Sequence, residues 1–332
     1  MKFIRVILFP IVPIYYVVTW LRNKLYDTGV KSSKSYDFPV ICVGNLSTGG
    51  TGKTPMVEYL IRLLKDKKPL ATLSRGYKRK SEGFVLADEK ATADSIGDEP
   101  FQFFSKFSDI AVAVDDDRQN GIEQLRKLET KPEIILLDDA YQHRKVKAGF
   151  NILLTAYDNL YYRDIILPTG NLREPRAGTK RANIIVVTKC KKDISEAEKT
   201  EIVSKLKLKN HQKAFFSYID YSEKVISSTN SIEVSKLPKF TLVTGIANAK
   251  PLVDFLISKG LKFDHLEFND HYNFKASDIK NLASKTLIIT TEKDYVRLSV
   301  NGSLKDKLYY LPIQVKIDKS EVFDTTVKSF IT

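Results

Sequence analysis

The densest run of chemistry-bearing residues is Gly44-Asn45-Leu46-Ser47-Thr48-Gly49-Gly50-Thr51-Gly52-Lys53-Thr54. Gly49, Gly50 and Gly52 free the backbone to wrap its N–H groups around a phosphate at the positive end of a following helix. Lys53 then reaches the β- and γ-phosphates, and the Thr54 hydroxyl is placed to ligate Mg²⁺. The full pattern G-x-x-x-x-G-K-[ST] fails at one place, because Ser47 stands at its first glycine. The context supports it nonetheless. A buried-strand run, PVICVG, precedes the loop, and Pro55 near the start of the next helix costs no needed N–H. The candidate nucleotide-binding segment is therefore Ser47, Thr48, Gly49, Gly50, Thr51, Gly52, Lys53 and Thr54.

A second group fits the same chemistry. The apolar run from Glu133 ends in Asp138 and Asp139, where enzymes of this kind hold Mg²⁺ directly or through water. Two adjacent carboxylates repel and call for a cation. Transfer to an acceptor hydroxyl also needs a base. Asp98, in GDEP, is one candidate, and the run Asp115-Asp116-Asp117 is another. Asp98 opens a predicted helix and reads as an N-cap as readily as a base. His271, in NDHYNF, could orient such a carboxylate or take its proton, although a lone histidine is commonly structural. The Asn-Lys-x-Asp element of GTP-selective proteins is absent. Thr188-Lys189-Cys190-Lys191 stands in its place, with Asp193 one position late, which favours ATP.

The elements that must carry these groups alternate. After the loop and its helix come PLATLS, a helix over EPFQFFSKF, IAVAV, a helix near residues 121–128, EIILLD, NILLTA and NIIVVTK. Short Val/Ile/Leu runs separated by helices imply a parallel sheet covered on both faces, a doubly wound α/β core. A Lys/Glu-rich helical stretch and AFFSYI lead into a second βα series from KFTLVTG onward. Three segments are expected: residues 1–30 as an N-terminal membrane-interface piece, 31–205 as the core, and 206–332 as a smaller α/β domain.

Composition narrows the partners. The 332 residues carry 53 Lys and Arg against 40 Asp and Glu, a net charge of +13. That excess suits nucleic acid, an anionic membrane or a phosphorylated ligand. Two cysteines and four histidines exclude a disulfide scaffold and a Cys- or His-rich metal cluster, and fit a reducing compartment. Between Arg5 and Arg22 lie sixteen uncharged residues, VILFPIVPIYYVVTWL. As a helix these reach about 24 Å, short of the roughly 30 Å hydrocarbon core, and Pro10 and Pro13 interrupt them. Interfacial aromatics (Tyr15, Tyr16, Trp20) and flanking basic residues favour a segment lying in a membrane interface over a buried core helix.

Taken in order, VGNLSTGGTGKTP, SRGY, GDEP, LDDAYQHR, LPTGNLREP, TGIANAKPL, NDHYNF and TTEKDYVRL resemble the tetraacyldisaccharide 4′-kinases, the lipid A 4′-kinases of Gram-negative bacteria. The resemblance covers nearly the whole chain. Ser at the first loop position belongs to the family pattern, whereas Ala140 departs from a common glycine. The resemblance implies an α/β P-loop fold with a doubly wound parallel sheet, a second, smaller α/β domain and a membrane-associated N-terminal helical segment. It implies ATP and Mg²⁺ as cofactors and transfer of the γ-phosphate to the 4′-hydroxyl of a tetraacyldisaccharide 1-phosphate, giving lipid IVA. Asp98 then matches the base and His271 its partner. Lys53, Thr54, Asp138 and Asp139 match the phosphate and metal positions, and Arg75, Arg118, Gln142, Asn171, Arg173 and Glu174 fall in motifs lining the substrate site. The expected partners are the lipid substrate and an anionic membrane surface, with no nucleic acid and the oligomeric state left open. The expected location is the cytoplasmic face of the bacterial inner membrane, peripheral or monotopic. Another P-loop ATPase or small-molecule kinase is the rival enzyme, and a basic binding module holding a structural nucleotide is the rival non-enzyme.

Overall fold

The computed structural model describes residues 5, 7–270 and 272–332. In the first sheet, β1 (Val40–Asn45), β2 (Leu70–Ser74), β3 (Val85–Leu86), β4 (Ala111–Val114), β5 (Ile134–Asp138), β6 (Phe150–Ala156), β7 (Ile184–Thr188), β8 (Lys213–Tyr221) and β15 (Ile313–Ile317) run in the order β15-β8-β7-β6-β1-β5-β2-β4-β3. From β8 to β4 every pairing is parallel, and only the two edge strands, β15 and β3, are antiparallel. Strand residues alternate between two apolar layers, as a sheet covered on both faces requires. Ile41 and Val43 pack with helix α2 (Lys53–Leu64), Phe103 of α4 (Asp98–Lys106) and the C-terminal helix α10 (Ser320–Ile331). Val40 and Cys42 face Ile122 and Leu125 of α5 (Arg118–Leu125) and Ile202 and Leu206 of α6 (Glu196–Leu206). A one-turn helix, α3 (Ala93–Ile96), precedes α4.

The second sheet contains β9 (Lys224–Ile226), β10 (Ser231–Glu233), β11 (Phe240–Thr244), β12 (Phe263–Glu267), β13 (Ile288–Thr290) and β14 (Leu308–Tyr310), in the order β10-β9-β14-β13-β11-β12. Helices α7 (Lys250–Ser258), α8 (Ala276–Ala283) and α9 (Glu292–Leu298) cover it, with Leu252 and Leu256 in one apolar cluster and Leu282 and Leu298 in the other. The run TLIITTEKD divides in two. Its strand stops at Thr290, and the Thr291 hydroxyl caps α9 by accepting the Asp294 N–H at 3.1 Å.

The division expected at residues 205/206 differs from the sheets. β8 pairs in parallel with β7, and β15 returns to pair with β8, register Ile313↔Tyr221. Phe323, Val327 and Ile331 of α10 are buried under the first sheet. Residues 213–221 and 313–331 thus belong with the core, and the chain crosses between the units on two hydrogen-bonded neighbouring strands. The return was hidden because IQVKI and the helix after it look the same whichever sheet they join.

At the N-terminus a 3₁₀ turn, Phe9–Ile11, leads into α1 (Val12–Asp27). Pro13 begins this helix rather than interrupting it, since the first turn needs no N–H donor. Val12, Tyr15, Thr19, Asn23, Leu25 and Tyr26 are half-buried, while Ile14, Val17, Val18, Trp20 and Leu21 are exposed. No helix among the described residues is long and apolar enough to cross a membrane.

Candidate active site

β1 lies between β6 and β5, where the strand order reverses, and the carboxyl ends of β1, β2, β5 and β7 open on one crevice. Ligands of open α/β sheets bind at this place. The loop leaves β1 at Asn45 and enters α2 through Gly52, which holds φ +82° as the residue before the helix. A Cβ is strained there, so glycine is required. Lys53 and Thr54 form the first helical positions, two residues ahead of the expected start at Pro55. The exposed tip is Thr48, Gly49 and Gly50, while Ser47 and Thr51 are buried.

Two braces hold the loop from outside. Ser47 bridges Leu172, the Thr48 N–H donates to the Asn171 carbonyl at 2.7 Å, and the Arg173 N–H donates to the Leu46 carbonyl at 2.7 Å. On the other side the Thr188 hydroxyl donates to the Thr51 carbonyl at 2.8 Å, and Lys189 Nζ donates to the Gly50 carbonyl. Tying carbonyls outward leaves N–H groups for an anion inside. The sequence reading used Thr188 and Lys189 only to discriminate between nucleotides. Their bracing role leaves no mark in residue type, because it depends on β7 ending beside the loop.

Asp138 and Asp139 share the end of β5 but differ in surroundings. Asp138 is buried, accepts from the Ser74 hydroxyl at 3.3 Å through Oδ2, and has no hydrogen-bond partner at Oδ1 among the described residues. Burial, then the neighbouring Asp139 charge, pushes its pKa up to about 7. Asp139 turns away in a left-handed conformation, φ +47°, toward Lys53 Nζ at 3.6 Å and Arg173 Nη2 at 2.8 Å. Burial works to raise its pKa, but Lys53 and Arg173 outweigh it and leave the group lowered. One carboxylate is thus neutralised by protein cations, and the other presents an unsatisfied oxygen. A buried orphan acceptor beside a phosphate loop is a place for a metal cation.

The remaining predicted residues separate. Arg118 is buried at the start of α5, donates to the carbonyls of Asp115 (3.1 Å) and Asp116 (3.3 Å), and leaves Nε unpartnered among the described residues. Arg75 is exposed just beyond β2. Gln142 donates to the Asn45 carbonyl at 2.8 Å and to Glu174 Oε1 at 3.0 Å. Glu174 is buried and is held by Arg181 (2.7 and 3.0 Å) and by Asn23 of α1 at 2.6 Å. Such a saturated carboxylate is a brace, not a free contact. Asn171 donates to Asp164 Oδ2 at 3.0 Å and accepts from Arg5 at 2.8 Å.

Of the two base candidates, the acidic run is occupied by folding. Asp117 caps α5 by accepting the Gln119 N–H at 3.0 Å, Asp115 accepts from the Asp117 N–H and Asn120, and exposed Asp116 pairs with Arg79 at 3.5 Å. Asp98 is not the N-cap, which is Gly97 at φ +92°. A Cβ on Gly97 would meet Gly76 Cα at 3.2 Å, so the SRGY and GDEP loops touch there. The Asp98 carboxylate accepts at Oδ2 from Arg297 Nε at 3.0 Å and from its Nη2. Arg297 lies on α9 of the second unit, within TTEKDYVRL, and residue type alone does not mark its meeting with Asp98. His271 lies outside the described residues.

This assembly is matched by known proteins along its full length. The family described as Tetraacyldisaccharide-1-P 4′-kinase matches residues 4–332. The Tetraacyldisaccharide 4′-kinase of Flavobacterium johnsoniae is 53% identical over 100% of this chain and 98% of its own. That of Phocaeicola vulgatus is 43% identical over 98% of this chain and 94% of its own. The crystal structure of the "apo" form of LpxK from Aquifex aeolicus in complex with ATP superposes with a TM-score of 0.78 at 29% identity, covering 99% of this chain and 100% of that one. The phosphate loop, the paired aspartates and the second unit bearing Arg297 therefore belong to one continuous design, and the chain belongs to the tetraacyldisaccharide-1-phosphate 4′-kinase family.

Proposed function

We propose that this kinase carries out 4′-phosphorylation at the crevice above β1 and β5, with Asp98 as the base and a membrane surface against α1. ATP places its phosphates along Ser47–Thr54, and Lys53 follows the β- and γ-phosphates. Thr54, Asp138 and Asp139 would hold Mg²⁺, which would supply charge neutralisation on the transferring group. Arg173 and Lys53 hold Asp139 ionised, and the Asp138 Oδ1 orphan is the observation that carries the metal position.

Asp98 takes the proton of the 4′-hydroxyl as the oxygen attacks. Arg75, exposed beside the site, and Arg118, with its unpartnered Nε, are suited to oxyanions of the substrate. Gln142, Asn171 and Glu174 act one step back, fixing Asn45, the phosphate loop and α1. His271 remains the proposed partner of Asp98.

The substrate's acyl chains stay in a lipid phase, so the crevice must face one. α1 supplies the contact. It bonds to the site through Tyr15–Arg173 at 3.2 Å and Asn23–Glu174 from its half-buried stripe, and through exposed Arg22 to Gln142 at 2.9 Å. Ile14 (65%), Val18 (60%) and Leu21 (48%) remain exposed on the other face. An apolar face fixed rigidly beside the site supports a peripheral position on an anionic leaflet, the cytoplasmic face of the inner membrane.

The test is transfer from γ-labelled ATP to the disaccharide 1-phosphate in detergent micelles. Asp98→Asn should cut kcat by about 10²–10⁴ with ATP affinity retained, the range for loss of a general base. A near-normal rate removes Asp98 from that role.

A further inference from the structure

Helix α4 begins with two acids, Asp98 and Glu99, and α9 of the second unit meets both with cations. Arg297 binds Asp98, and Lys293 approaches Glu99 Oε1 at 3.8 Å and Asp270 at 3.5 Å. Arg297 is itself steered. Its Nη1 reaches Asp294 Oδ1 at 3.4 Å, and Asp294 is fully buried, accepting the Gly245 N–H at 2.8 Å and the Thr291 hydroxyl at 2.7 Å through Oδ2. A continuous polar chain therefore runs from the end of β11 through Asp294 and Arg297 to Asp98.

The other end of the same helix contact is also charged. Lys106 of α4 lies 2.7 Å from Glu58 of α2 and 2.7 Å from Glu292 of α9, while Gln102 donates to both glutamates at 2.8 and 3.3 Å. Glu58 and Glu292 are buried. Seating α9 in one register on α4 sets both ends at once. Helix α2, which starts at Lys53 of the phosphate loop, joins the seat through Glu58.

We propose that Arg297 is the positioning residue for the base: it orients and keeps ionised the Asp98 carboxylate, and it does so from the second unit, so that base function depends on α9 being seated on α4. This rests on Asp98 being the base. Two guanidinium donors on one carboxylate oxygen fix its plane, and a cation at 3.0 Å favours the ionised form. Among the described residues, the charged groups around Asp98 include Glu99 on its own helix, and Lys293, Asp294 and Arg297 on α9, with Asp270 beyond Lys293. Glu99 has Lys293, and Asp294 shares Arg297 with Asp98, so Arg297 is the cation in direct contact with the base among the described groups.

The experiment uses the full chain and the micellar transfer assay from about pH 3.5 to 9, with wild type, Arg297→Gln, Arg297→Lys, Asp98→Asn and the double variant. Arg297→Gln should lower kcat by about 10–100-fold while ATP KM moves less than about threefold. Its acid limb should move to higher pH by about one unit, because the base loses its cation and protonates earlier. Arg297→Lys should restore the limb and part of kcat. In the Asp98→Asn background, Arg297→Gln should cost less than about threefold more, since the two act as a unit. An unmoved acid limb, equal losses for Gln and Lys, or additive losses in the double variant overturn the proposal and leave Arg297 a structural strut. A near-normal Asp98→Asn rate sinks the base assignment itself, which separates that failure from failure of the coupling.

Discussion

Helices α1 and α9 both lie against the core and both deliver polar side chains to candidate site residues. They are built in opposite ways. α9 buries charge: Glu292 and Asp294 are enclosed, and Arg297 and Lys106 close the contact with α4. α1 exposes grease: it meets the core through Val12, Tyr15, Thr19, Asn23 and Tyr26, while Ile14, Val17, Val18, Trp20 and Leu21 face outward. A soluble helix normally turns its apolar face to the core. On the proposed reading, the outward apolar residues of α1 are covered from outside the protein, by the lipid phase that carries the substrate. The charged seat of α9 has another logic. Removing one member leaves a buried charge, so the contact is specific in register and costly to hold wrongly.

The comparison is broken most severely at Lys106. Lys106→Ala leaves Glu58 and Glu292 facing each other without their shared cation and should cost about 3–5 kcal/mol in urea unfolding. A loss below about 1 kcal/mol would mean the α9 seat is not held by charge. Asn23→Ala removes one of several donors on buried Glu174, and with Arg181 and Gln142 remaining it should cost about 1–2 kcal/mol.

Glu292 adds a pH signature. Burial, then the Glu58 charge, pushes its pKa up to about 7. Between the ordinary glutamate range and that value the folded chain binds a proton the unfolded chain has released, so this group's contribution falls as pH rises through the window. Glu292→Gln should flatten the dependence of Tm between pH 5 and 8 and raise Tm at pH 8 by about a few degrees. An unaltered profile contradicts the burial of that charge. The smallest effect is expected on α1: Ile14→Ser should change unfolding free energy by less than about 0.5 kcal/mol, since the side chain touches little protein. A core-like loss would show that its outer face is covered.

Much of this was legible in the residues. Glycine spacing and an apolar strand ending in Asp138-Asp139 give the phosphate site, because both are local patterns that physics ties to one geometry. The parallel sheet follows from Val/Ile/Leu runs alternating with amphipathic helices. The exposed face of α1 was foreshadowed by an uncharged run with aromatics, although its polar stripe and its bonds to Glu174 and Gln142 were not. What escaped depends on contacts far apart in sequence. Arg297 reaches Asp98 across 199 positions, Thr188 reaches Thr51 across 137, and β15 returns to β8 after a whole second sheet. No spacing rule encodes such meetings. They are set by which strand ends lie side by side.

The central claim is that an outward apolar helix and a crevice fixed to it form one catalytic unit at a lipid surface. The most direct test is the transfer rate of the Ile14→Ser/Val18→Ser/Leu21→Ser variant on two forms of the same disaccharide 1-phosphate: carried in anionic vesicles, and dispersed in detergent micelles with excess detergent. The account predicts a loss of at least about tenfold on vesicles, from three apolar side chains no longer buried in lipid, and a rate within about twofold of wild type on micelles. Equal rates on both forms, or equal losses on both, would contradict it.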